Sequence, residues 1–158
     1  MPTVKKFAAM LMLATALVAP GAAFAREVTI EATLTPYSGP EAYLAVYVMD
    51  ADGNYNSTLW VAGHKTKYYG ALRGWVAGVS SAGGVNLDGI TGASVGSGET
   101  LTVRAELADA LIDAGYEIHI DTAVEHGGEY IDDVVIPLSS TPASVTGSGY
   151  VDSASISF

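Results

Sequence analysis

The stretch Tyr43-Leu44-Ala45-Val46-Tyr47-Val48-Met49, then Asp50-Ala51-Asp52-Gly53-Asn54, then Tyr55-Asn56-Ser57-Thr58-Leu59-Trp60-Val61-Ala62 decides the fold class. Its first part is apolar and carries the aromatic and branched side chains that suit a pleated surface. Its middle holds the residues that bond their own backbone or tolerate left-handed conformations, which is turn chemistry. Its last part reads as the returning strand. Together they predict a β-hairpin.

Working outward, the same period of two recurs. Val28, Ile30, Ala32 and Leu34 alternate with polar residues and stop at Thr35-Pro36, which predicts a half-buried strand. Downstream, the β pattern breaks over residues 65–77. There Tyr68 or Tyr69, Leu72, Trp75 and Val76 recur at helical spacing, with Lys65, Lys67 and Arg73 between them. A short amphipathic helix is expected, weakened by Gly70 and Gly74, capping one end of a sandwich with its aromatics in the core. Residues 78–98 are rich in Gly and Ser and read as a long loop.

Strands are then predicted over 99–105 and 116–124, with a turn or helical turn at 109–115 between them. Glu125-His126-Gly127-Gly128 turns the chain into a strand over 130–137, and two more near 143–147 and 150–157 finish it. Six to eight short strands separated by turn signals predict an all-β, antiparallel, immunoglobulin-like β-sandwich with one short helix. An outer-membrane barrel fits less well. Asp152 interrupts the alternation of Tyr150, Ala154 and Ile156, and the glycine loop and helix do not match a run of spanning strands.

Residues 1–25 read as a cleaved signal peptide. Lys5 and Lys6 precede an apolar run, and Ala23-Phe24-Ala25 offers a small-residue cleavage site before Arg26. The apolar run is short for a transmembrane span, so no transmembrane segment is expected after cleavage. Residues 26–158 are then a single domain in the periplasm. That part holds five basic and all seventeen acidic side chains, a net charge of −12 with His neutral. A field of that sign repels nucleic acid and anionic membranes, and favours basic partners. The chain has no cysteine, so disulfides, thiol redox chemistry and cysteine metal sites are excluded.

Several segments taken in order carry a resemblance. They are Tyr43-Leu44-Ala45-Val46-Tyr47-Val48, Asp50-Ala51-Asp52-Gly53, Leu59-Trp60, Lys67-Tyr68 with Leu72 and Trp75, and Asp88 through Ser94. Ala114-Gly115-Tyr116 and Val124-Glu125-His126-Gly127-Gly128 follow. This order resembles the predicted periplasmic proteins of the domain of unknown function 2271 family, over roughly residues 28–157. Those proteins are similar to the immunoglobulin-like part of the flagellar hook-capping protein. The resemblance implies a β-sandwich of the envelope and carries no activity with it. Where the family often has Trp-Asp-Gly, this chain has Val103-Arg104-Ala105.

Asp88-Gly89-Ile90-Thr91-Gly92-Ala93-Ser94 also resembles the site at which flavin transferases attach FMN to exported proteins. That resemblance implies Ser94 as the acceptor hydroxyl of a phosphoester, with Asp88, Thr91, Gly92 and Ala93 completing the cofactor-binding segment. Small residues permit the close approach such a transfer requires. Trp60, Trp75 and Tyr68 are candidate partners for the flavin ring. The same residues equally predict a tight turn at 91–93 before a strand, with Asp88 bonding the loop backbone.

His119 and Asp121 lie two apart on a predicted strand and so share a face, which Glu125 could extend. His126 falls on the opposite parity, and His64 lies at a strand end. A His/carboxylate metal site is chemically conceivable there. A pair falls short of the three or four ligands a metal needs, and exposed polar residues on a solvent-facing sheet explain the spacing as well. Asp132 and Asp133 are adjacent in a strand and face opposite ways, against a shared acid/base site. The expectation is a non-enzymatic, cofactor-free accessory protein with an envelope partner. The alternative is a redox carrier with covalent FMN at Ser94, whose partners would be a flavin transferase or a membrane reductase.

Overall fold

A computed structural model describes residues 23–158; the signal peptide read over 1–25 lies almost entirely outside them. In chain order the strands are β1 (Ala25–Leu34), β2 (Ala42–Met49) and β3 (Tyr55–Ala62). A 3-10 turn (Thr66–Ala71) and a helix α1 (Arg73–Ser81) follow. Then come β4 (Thr91–Gly92), β5 (Thr100–Ala108) and β6 (Glu117–Val124). β7 (Glu129–Pro137), β8 (Ala143–Thr146) and β9 (Val151–Ser157) complete the fold. The architecture is mostly β, with two sheets and one short helix.

One sheet has the order β5-β1-β9-β8 and the other β4-β3-β2-β6-β7. The hairpin is formed by β2 and β3, and Asp50 builds its turn. Its Oδ1 accepts the backbone N–H of Asp52 at 2.9 Å and of Asn54 at 2.8 Å, while Gly53 takes the left-handed φ of +81°. The Asn54 N–H is the largest cause holding the Asp50 carboxyl below its ordinary pKa.

Strand parity sorts the side chains of β2 into two cores. Leu44, Val46 and Val48 join Val28 and Ile30 of β1 and Ile118 and Ile120 of β6 between the sheets. Tyr43, Ala45 and Tyr47 point the other way and pack with Tyr69, Leu72 and Trp75. β2 is therefore buried on both faces, which is why its run is uninterruptedly apolar.

Three expectations are corrected here. The helix does not cap an end of the sheets; it lies against β3, β6 and β7 on the outer face of the five-stranded sheet. Its glycines matter for that contact. A Cβ at Gly74 would come within 2.8 Å of Asp121 Oδ2, and one at Gly78 within 2.8 Å of the Tyr55 Cβ, so glycine lets helix and sheet approach closely. The single helix expected over 65–77 is instead a 3-10 turn followed by α1, which runs on to Ser81, so the loop expected over 78–98 starts later and holds little regular structure beyond the two-residue β4. Nor is the pairing wholly antiparallel: β4 pairs with β3 in parallel, Val61 opposite Thr91 and Ala62 opposite Gly92.

Candidate functional site

The β3–β4 pairing positions the segment that the sequence singled out. Val61 N–H donates to Ile90 O and Gly63 N–H to Gly92 O, both at 2.9 Å. The register then continues past the strands by side-chain bonds. His64 N–H donates to Ser94 Oγ at 3.2 Å, and His64 Nδ1 lies 2.7 Å from the same oxygen. On the far side of Ser94, Val95 and Ala42 exchange backbone bonds of 2.9 and 2.7 Å. Ser94 is thus clamped between β3 and the start of β2, rather than carried on a slack loop.

The five candidate residues fall into three places. Asp88 is exposed in the turn Leu87-Asp88-Gly89-Ile90, where Ile90 N–H returns to Leu87 O at 3.2 Å and Gly89 has φ +77°. The turn read at 91–93 therefore lies earlier, and Thr91 and Gly92 are strand. Gly92 sits against Trp60; a Cβ there would fall 2.5 Å from the indole Cζ2. Ala93 is exposed and Ser94 half-buried at the edge of the sheet.

An aromatic row runs inward from this edge. The His64 ring stacks on Tyr43 with centroids 6.0 Å apart, and Tyr43 meets Tyr68 edge-on at 5.7 Å. Gly63 makes the stacking possible, since a Cβ there would lie 2.2 Å from Tyr43 Cδ1. The Tyr68 hydroxyl donates to Glu125, which also pairs with Lys65 at 3.6 Å. The Tyr68 bond is the largest cause holding the Glu125 carboxyl below its ordinary pKa. A cleft of about 190 Å³ opens beside Tyr43, Tyr68, Glu125 and His126. Of the three ring candidates, Trp60 touches the segment directly through Gly92. Tyr68 joins through Tyr43 and His64. Trp75 is buried under the helix with its indole N–H on Thr58 Oγ1 at 2.9 Å, so it is spent in the core.

The proposed metal row is a different object from the one expected. His119 and Asp121 do share a face, but both are buried rather than solvent-facing, Asp121 against α1 and His119 against the Tyr47 ring. Asp121 accepts Tyr47 O–H at 3.0 Å and Asp132 N–H at 3.0 Å on Oδ1, and Trp75 N–H at 2.8 Å on Oδ2. The Trp75 bond satisfies an amide in the first turn of α1, where Leu72 provides no side-chain cap. Burial, then the Asp121 and Asp132 charges, push the Tyr47 phenol upward, so it stays a neutral donor.

His119 is held between Asp132 at 2.6 Å and Glu117 at 3.1 Å. Glu125 belongs to the Tyr68 cluster, and His126 is exposed in a turn at φ +60°. Among the described residues, no three His, Cys, Asp or Glu side chains converge as a metal set. Asp133 faces away from Asp132, accepting Thr122 Oγ1–H at 2.6 Å and the backbone N–H groups of Ser148, Gly149 and Val151 at 2.8, 2.7 and 3.0 Å.

Sequence reasoning missed the His64–Ser94 contact. The two are thirty residues apart, and a parallel crossover leaves no periodic signal in either segment. No curated protein and no solved structure matches this chain. The family described as predicted periplasmic protein, domain of unknown function 2271, matches residues 25–153, and the chain belongs to that family.

Proposed function

We propose that this protein is a non-catalytic accessory protein of the envelope that presents its β4 edge to a partner. The observation that carries this reading is the clamped segment itself. A two-residue edge strand, tied to β3 on one side and through Val95 to β2 on the other, holds Ala93 and Ser94 outward in one geometry. Recognition needs such preorganisation, because ordering a loose loop on binding subtracts from affinity. The net negative charge favours a basic partner surface. Two sheets sharing one aliphatic core support the immunoglobulin-like sandwich as the finer description of the fold.

A second reading, FMN covalently held at Ser94, is favoured by one specific observation. The Ser94 hydroxyl is half-buried at the sheet edge within reach of an imidazole, and its flanking residues are small. Ser94 would carry the phosphoester, with Asp88, Thr91, Gly92 and Ala93 forming the stretch a transferase reads. The cleft beside Tyr43 is smaller than the several hundred Å³ of an enclosed cofactor pocket, so it cannot swallow a flavin ring. The group would supply electron transfer, and the chain would act as its carrier.

The test is the intact mass and flavin fluorescence of the mature protein purified from its own envelope, alongside Ser94→Ala. Added mass of one FMN less water, absent in the variant, makes the carrier the correct reading. An unmodified chain whose photo-crosslinker at Ala93 traps one envelope protein, while one at the exposed Arg104 does not, supports the adaptor. An unmodified chain with equal crosslinking at both positions overturns both readings.

A further inference from the structure

We propose that His64 is the base that takes the proton from Ser94 when that hydroxyl is joined to a flavin phosphate. This inference rests on the reading of Ser94 as an FMN acceptor and adds the residue of this chain that prepares it.

The geometry carries the argument. A serine oxygen has one proton and two lone pairs. One lone pair of Ser94 Oγ accepts the His64 backbone N–H at 3.2 Å, and the ring Nδ1 of the same residue stands 2.7 Å away. With the imidazole proton on Nε2, Nδ1 accepts the Ser94 O–H, which is the nucleophile–base pairing that activates an alcohol. The backbone bond holds the oxygen while the ring receives its proton.

The imidazole itself is positioned from three sides. The parallel register brings residue 64 level with residue 94. Gly63 gives up its side chain to the Tyr43 ring, and that ring, itself buried, stacks on the imidazole. His64 is exposed and belongs to neither hydrophobic core, so burial of its ring does not explain the arrangement.

The step balances as follows. Ser94 Oγ forms a bond to the flavin-side phosphorus of a flavin adenine dinucleotide held by a flavin transferase. The phosphoanhydride bond of that donor breaks, adenosine monophosphate departs, and the hydroxyl proton passes to His64 Nδ1 and then to water. No electrons change hands.

The experiment follows the rate of mass gain at Ser94 in the full mature chain, mixed with a flavin transferase and flavin adenine dinucleotide. Wild type is compared with His64→Ala and His64→Gln, with and without added imidazole, and melting curves check that each variant is folded. The expected result is a rate about 100-fold lower in both variants, partly restored in His64→Ala by imidazole, at unchanged melting temperature. Equal rates in wild type and variants overturn the role of His64 and leave the acceptor reading standing. A slow variant that imidazole does not restore also overturns it, because the ring then serves only to shape the segment. Absence of any gain in wild type sinks the acceptor reading itself.

Discussion

The two faces of β2 look onto two different interiors. Between the sheets the packing is aliphatic: Val28, Ile30, Leu44, Val46, Ile118 and Ile120, with a buried carboxylate, Asp133, bonded to the turn before β9 and to its first residue. Under the helix it is aromatic and polar: Tyr43, Tyr47, Tyr69 and Trp75 pack together, Tyr47 and Trp75 bond Asp121, and the Tyr47 ring lies against His119. The first interior is non-directional and depends on volume filled. The second depends on directed bonds to Asp121 and His119, whose loss would orphan buried polar groups at a cost; the Tyr43 hydroxyl is its one unpartnered group among the described residues. The aliphatic layer therefore holds the fold together, while the aromatic layer fixes orientation. Only the second layer continues, through Tyr43 and His64, to the sheet edge where Ser94 is displayed.

The contrast is open to attack from each side. Leu44→Ala removes a fully buried side chain from the aliphatic layer. Chemical denaturation should show a loss of about 2–5 kcal/mol, with one cooperative transition. Asp121→Ala strikes the other layer, strands the Trp75 and Asp132 amides and leaves the Tyr47 hydroxyl only its 3.4 Å bond to Asp132. A loss of about 2–4 kcal/mol is expected. Unlike Leu44→Ala, it should alter the near-ultraviolet circular dichroism of the native protein, because α1 loses the acceptor that seats it. Identical native spectra in the two variants would erase the distinction between the layers.

The smallest effect concerns Glu125. Its folded pKa is depressed, chiefly by the Tyr68 hydroxyl, so its contribution is fully present above the ordinary glutamate value of about 4.3. That contribution fades as pH falls through the lower folded value. Thermal melts between neutral and strongly acidic pH should show Glu125→Gln below wild type at neutrality, with the gap closing only below about pH 4. A gap constant with pH would mean that the carboxylate charge plays no part there.

Much of the strand pattern was legible because alternation and turn chemistry are local. Val28 to Leu34 predicted the buried side of β1, and Asp50 to Asn54 marked the hairpin turn that Asp50 does close. Tyr69, Leu72 and Trp75 are buried, as their spacing predicts, but they sit on a 3-10 turn, at its junction with α1 and on α1 rather than on one helical face. What was misread depended on partners distant in sequence. Gly74 looked like a defect in a helix until Asp121, Ile131 and the Tyr47 hydroxyl were seen within 2.9 Å of where its Cβ would stand. His119 and Asp121 looked solvent-facing because period two assigns a face without saying what covers it.

The sequence by itself determined that this chain is a cysteine-free, acidic, mostly-β protein of a predicted periplasmic family, since composition, local periodicity and motif order carry that much. Tertiary structure decided that α1 covers the sheet, that Asp121 serves as a helix cap, and that His64 faces Ser94. Each of these is a contact between segments tens of residues apart, set by sheet register and close packing, and no local pattern encodes it.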